Sequence, residues 1–264
     1  NINNNISSVI MCTLFIYRKK SSNWPLLIAS NRDESFNRSY SSPNYHWKSF
    51  PDIFAGKDLH KGGSWMGINK KNLFATILNR EKTNISINKT SSRGELVIKA
   101  LRFNCAVEAS KNIFNNLKKV YNNFNLFIGD ARTAFWIKLH NGNKEIYKVP
   151  FGFSVMDKYN LNDSKSKKQK LYKNIFKKIK VPIPEESNFK DWQRLLFMKK
   201  RYNNLINTEV FVCNNKTNYG TVSSSIIGIP KFNNNKLSPF WLYNDKKNDN
   251  KKFVSLSPFQ SKDN

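Results

Sequence analysis

The chain has 264 residues and a formal net charge of +27, from 45 Lys+Arg against 18 Asp+Glu, with 39% hydrophobic and 14% aromatic residues. That much aromatic and aliphatic content excludes an intrinsically disordered chain, and the length is ample for a packed core. Three cysteines exclude a disulfide scaffold and suit a reducing compartment; no apolar run reaches the roughly 18 residues of a membrane span, and residues 1–10 lack the basic start and apolar core of a signal peptide, so a cytoplasmic location is expected.

In chain order, Cys12–Tyr17 and Pro25–Ser30 are apolar runs around the polar segment Arg18–Asn23, which predicts a β-hairpin. Both are apolar on successive positions, so each strand is expected to be covered on two faces. Ser35–Pro51, rich in Ser, Pro and aromatics, is expected to be a long ordered loop, and Trp65–Ile68 with Leu73–Leu78 a second hairpin. Ser92-Arg-Gly-Glu95 has capping-box spacing and predicts a helix through Leu96, Ile98 and Leu101, followed by another near Ala106–Val120. Four strands are then predicted, Phe124–Ile128, Ala134–Leu139, Lys144–Val149 and Phe153–Met156, with a tight turn at Asn141-Gly142. Helices at about Asp163–Lys180 and Asn188–Asn204 precede strands at Glu209–Cys213, Gly220–Gly228, Phe240–Tyr243 and Phe253–Leu256. Strands and helices come in blocks, not in βαβ alternation, which predicts an α+β fold of antiparallel sheets with segregated helix pairs. With no linker or composition break, one domain over 11–264 is expected, and the extension 1–10 is expected to be absent from the mature protein.

The positive charge raises the question of a nucleic-acid partner. Its densest stretch, Lys165–Lys180, carries Leu171, Ile175 and Ile179 at i, i+4 and i+8, so it reads as an amphipathic helix with a lysine-rich solvent face. No zinc finger, helix-turn-helix or RNA-binding signature accompanies it, so no specific nucleic acid is expected. P-loop, GxGxxG, HExxH and GxSxG motifs are missing too, and His46, His60 and His140 have no metal-ligand spacing.

Met11-Cys12-Thr13 is the informative feature. Removal of a methionine before a small residue would leave Cys12 with a free α-amine, joining nucleophile and base in one residue; the amine's reference pKa of roughly 7.7–8.0 suits proton transfer near neutrality. Met-Cys alone does not separate this from a buried strand cysteine. If Tyr17 pairs with Trp24, however, Cys12 falls opposite Ala29, give or take a residue or two, and Asn31-Arg32-Asp33-Glu34 emerges beside it. Four polar residues just past a buried strand could position the amine, tune the thiol and bind an anionic group, or Arg32 and Asp33 could simply pair at a strand end.

These residues, with Trp24-Pro25, His46-Trp47, Ala55-Gly56, Gly62-Gly63-Ser64-Trp65-Met66-Gly67, Leu78-Asn79-Arg80, Ser92-Arg93-Gly94, Phe124-Asn125-Leu126 and Tyr219-Gly220-Thr221, resemble in order the NRDE family, also called the Transport and Golgi organisation 2 family. The resemblance implies the four-layer αββα sandwich of the N-terminal nucleophile (Ntn) hydrolases, and within them the chain is similar to choloylglycine hydrolases and penicillin V acylases. It implies Cys12 as nucleophile and its α-amine as base, Arg32 and Asp33 holding amine and substrate, and the Asn79 N–H as an oxyanion donor. His46, Gly63 and Trp65 would shape the pocket beside Asn31 and Glu34. Asp157 stands at the position nearest to an oxyanion Asn of the acylases, and Val222 where relatives commonly carry Arg.

Two functions follow. One is a hydrolase of a small amide or thioester needing no cofactor; the other is a non-catalytic protein that binds or carries haem or a lipid or acyl-CoA, in line with family roles in haem movement, secretion and Golgi organisation. For haem, Cys12, His46 and His60 are the candidate ligands.

Overall fold

Alternation of apolar side chains in the two N-terminal strands builds the centre of the molecule. In a computed structural model, which describes residues 12–81, 90–232, 237–246 and 252–259, β1 (Thr13–Arg18) and β2 (Leu26–Ser35) pair antiparallel. Leu14, Ile16, Leu26 and Ile28 enter one buried cluster, while Phe15, Leu27 and Ala29 enter another on the opposite face. That is why both runs are apolar at successive positions. The expected extension 1–10 and its boundary at Met11 lie outside the described residues.

The first sheet has the order β10 (Gly152–Met156), β1, β2, β12 (Tyr219–Ile229), β13 (Phe240–Asp245), β14 (Val254–Leu256), with β11 (Cys213–Asn214) paired to β12. The second runs β3 (Tyr40–Asn44), β4 (Ile53–Asp58), β5 (Met66–Asn69), β6 (Phe74–Asn79), β7 (Phe124–Gly129), β8 (Ala134–His140), β9 (Asn143–Lys148). Leu14, Ile16, Phe74, Phe127 and Trp241 fill the space between the sheets. α1 (Gly94–Ala100) and α2 (Ala106–Asn115) close the outer face of the second sheet over Leu126 and Ile137. α3 (Lys167–Lys178) and α4 (Lys190–Leu196) close the first, burying Tyr172, Phe176 and Trp192 against Phe15 and Ile226. The result is an α+β, four-layer αββα sandwich. No helix among the described residues is long and apolar enough to cross a membrane.

Several expectations need correction. The segment read as a loop contains β3, and β4 follows it, so six strands precede α1 among the described residues. Pro43 inside β3 is tolerated because β3 is an edge strand and its pairing is irregular between Ser41 and Asn44. Ser92 does not cap α1: Arg93 occupies the N-cap without a side-chain bond, and Glu95 instead receives Lys99, Lys119 and the Tyr121 hydroxyl. α4 ends at Leu196, and β11 comprises only Cys213–Asn214. On α3 the centre of the buried stripe is Tyr172 and Phe176, with Leu171, Ile175 and Ile179 at its edges. The Asn141-Gly142 turn forms as expected, with φ of 52° and 80°.

The hairpin register matters most. Phe15, not Cys12, lies opposite Ala29, and Thr13 lies opposite Asn31. The shift of three residues arises because the connection is longer than the Tyr17–Trp24 pairing assumed; Arg18 pairs with Leu26. Cys12 is thereby brought alongside Arg32 and Asp33.

Candidate active site

Asn31 to Glu34 are not a frayed strand end, for β2 continues through them and pairs with β12 as far as Ser35 and Tyr219. Opposite Arg32 and Asp33, β12 carries a bulge between Thr221 and Ser223 that leaves Val222 as the extra residue. Such a bulge disrupts the ladder locally and re-aims side chains, here beside Cys12. Thr221 Oγ1 donates to Asp33 Oδ1 at 2.7 Å, and the Tyr219 hydroxyl to the Asp33 carbonyl at 2.9 Å.

Cys12 Sγ sits 3.4 Å from the Asp33 N–H and 3.7 Å from the Asp33 carbonyl. Burial is the main cause that pushes the thiol up to about 12, with the Asp33 carboxylate adding to it. The Asp33 carboxyl is itself raised to about 6 by burial, held back by the positive charge of Lys168 and the Thr221 hydrogen bond. Asp33 Oδ2 is buried with no hydrogen-bond partner. Lys168 is buried in the first turn of α3, and its Nζ donates to Thr13 Oγ1 at 3.1 Å.

Arg32 and Asp33 do not pair with each other. The Arg32 guanidinium lies 4.3 Å over the Trp65 ring and 4.9 Å over Tyr40, with Glu34 at 3.8 Å, and its Nη1 is buried without a partner. Position 56 explains Trp65: a Cβ on Gly56 would lie 2.2 Å from the indole.

A cavity of about 290 Å³ opens over these groups. Of the residues expected at the site, Cys12, Arg32, Asp33, Glu34, Trp65 and Asn79 line it. Backbone alternation sets the Asn79 N–H. Ile77 N donates to the Trp65 carbonyl on the β5 side, and Arg80 N donates to Asn123 on the other side. The Asn79 N–H therefore faces the β5 side, beyond the first residue of β5, where the cavity lies.

The remaining expected residues do not line the cavity. Asn31 is wholly buried and ties α4 to the sheet, donating to the Leu196 and Val210 carbonyls and accepting from Ser224. His46 bonds the Ser42 carbonyl with its ring. Gly63 lets its loop pack on the start of α1, where a Cβ would meet Gly94 at 2.6 Å. Asp157 is spent on Ser166 and Gln169 at the start of α3 and on the Tyr159 N–H in the loop before it.

Arg38, Asp58, Lys61 and Arg93, none of them expected at the site, also line the cavity. Arg38 holds Asp58 at 2.6 Å and Glu34 at 3.6 Å, and Arg93 Nη1 donates to the Asn123 carbonyl. Arg93 lies in the Ser92-Arg93-Gly94 motif, which was the available signal; Arg38 had none.

Of the three candidate haem ligands, Cys12 lines the cavity. His46 and His60 lie outside the cavity lining. Among the described residues no group of three or more His, Cys, Asp or Glu is placed to hold a metal ion.

Comparison with known proteins agrees with this architecture. Residues 11–238 match the model of the family described as Transport and Golgi organisation 2. A penicillin V acylase from Agrobacterium tumefaciens superposes with a TM-score of 0.53 at 15% identity, covering 93% of this chain and 86% of the acylase. A mutant conjugated bile acid hydrolase from Clostridium perfringens gives 0.52 at 12% identity over 93% and 92% of the chains. The Caenorhabditis elegans orthologue of N-acylethanolamine-hydrolyzing acid amidase gives 0.51 at 11% over 81% and 92%. At these identities the likeness establishes the fold. No curated protein sequence matches the chain.

Proposed function

For this chain, which belongs to the Transport and Golgi organisation 2 family and has the Ntn hydrolase fold, we propose hydrolysis of a small amide or thioester by Cys12 acting as an N-terminal nucleophile. The observation that carries the reading is Asp33. Its backbone N–H lies 3.4 Å from Cys12 Sγ, both residues line the cavity, and one of its buried carboxylate oxygens lacks a partner. An unsatisfied buried acceptor costs about 1–3 kcal/mol, which an ammonium on Cys12 would recover.

In the proposed reaction the free α-amine of Cys12 takes the thiol proton. Sγ attacks the acyl carbon, and the tetrahedral oxyanion is met by the Asn79 N–H. Collapse breaks the amide or thioester bond, and the leaving group takes the proton back from the ammonium. Water then hydrolyses the thioester to Cys12, releasing a carboxylic acid and restoring the thiol. The losses expected without one oxyanion donor are on the order of 10²–10³ in rate.

The thiol's high pKa gives a second reading its footing. With Met11 still attached, Cys12 has no amine base and a neutral thiol, and the cavity acts only as a binding site. The two are separated by assaying a chain that begins at Cys12 and one that retains residues 1–11. Penicillin V, a conjugated bile acid, an N-acylethanolamine and a short acyl thioester form the panel. Turnover by the first chain alone, abolished in Cys12→Ala, supports the hydrolase; turnover by neither overturns it.

A further inference from the structure

A second groove lies at the far end of β1 from Cys12. Arg18 is six positions along the chain from Cys12, so the two sites are roughly 20 Å apart along the strand. Phe151 and Phe232 stand out of this groove at 52% and 54% exposure. Around them are Arg18, Lys20, Arg132, Lys148 and Lys231, over an apolar floor that includes Pro25, Ala131 and Val149. Among the described residues no carboxylate lines it. The Asp130 carboxylate, close enough to act on Arg18, accepts the backbone N–H groups of Ala106, Arg132 and Thr133.

We propose that this groove docks the protein on an anionic phospholipid surface, with Phe151 and Phe232 entering the acyl boundary and the surrounding cations meeting the headgroups. Charge complementarity selects the occupant, because four exposed cations, Lys20, Arg132, Lys148 and Lys231, with no lining carboxylate are matched by a negative sheet of headgroups. The buried Arg18 donates to the Val149 and Arg132 carbonyls and holds the groove's wall. Ring geometry distinguishes lipid from nucleic acid. The Arg18 guanidinium lies 4.5 Å over the Phe151 ring and that of Arg132 3.7 Å over Phe232, so a face that a base would stack on is occupied in each. Paired aromatic and basic side chains at one level suit the interfacial layer of a bilayer.

The test is co-sedimentation of the full chain with phosphatidylcholine vesicles and with vesicles that also contain phosphatidylserine. Binding is expected to the anionic vesicles only, and to weaken as salt is raised. Phe151→Ala with Phe232→Ala, and separately Lys20→Glu with Lys231→Glu, should each weaken it on the order of tenfold. Lys177→Glu with Lys178→Glu, an equal charge change at exposed positions of α3, should alter it by about twofold or less. Equal losses in the two lysine pairs would overturn the proposal in favour of general attraction by net charge. Groove-dependent binding of a single-stranded RNA without vesicle binding would overturn it in favour of nucleic acid.

Discussion

The Trp65 indole supports the Arg32 guanidinium at 4.3 Å, and it fits there because residue 56 is glycine. Arg32 has a buried, unpartnered Nη1 and lines the same cavity as Cys12, so its placement bears on what the cavity binds. Position 56 thus acts on the site at one remove, through an aromatic ring.

Gly56→Ala is accordingly expected to drive Trp65 out of position and cost about 1–3 kcal/mol through overpacking. A melting curve and the tryptophan emission spectrum check this. An unchanged melting temperature with an unshifted spectrum would contradict the packing argument.

Asp33 predicts a pH dependence. Burial raises its carboxyl from 3.8 to about 6, so with Met11 attached the folded state binds this proton more tightly than the unfolded state. The stability it contributes is complete below about pH 4 and is lost as pH rises through about 6. Relative to Asp33→Asn, the wild type should lose about 3 kcal/mol across that window. Denaturation at stepped pH reads the difference, and parallel curves would refute it. Freeing the Cys12 amine should flatten the dependence, because an adjacent ammonium favours the ionised carboxylate.

Thr221→Val tests the support of Asp33 from β12. The hydroxyl donates to Asp33 Oδ1 and accepts from the Val212 N–H at 3.0 Å, and both bonds are lost. A cost of about 1–3 kcal/mol is expected, with the Asp33 midpoint moving further up. Chemical denaturation and the same pH series measure both; a downward shift would show that Thr221 does not favour the carboxylate.

Much of the architecture was readable because pattern and burial agree. Leu14 to Ile16 and Leu26 to Ala29 are apolar on both faces since each strand lies between a sheet and a helix layer. β3 escaped notice because Ser41, Ser42, Pro43 and Asn44 carry no strand propensity, and tertiary pairing with β4 imposes the conformation. Asn31 and Asp157 are polar and were both expected at the site, yet their side chains serve packing between α4, α3 and the sheet. Polarity marks both kinds of residue alike, and only hydrogen-bond partners separate them. Arg38 was invisible for a similar reason: its value to the site comes from Glu34 and Asp58, one of them 20 residues away.

The most direct measurement is intact mass of the expressed protein before and after an acyl-like, cysteine-reactive probe. A mass beginning at Cys12 is expected, with one adduct that disappears in Cys12→Ala while the fold is kept. A chain that retains residues 1–11, or one that begins at Cys12 and takes no label there, would contradict a nucleophilic Cys12.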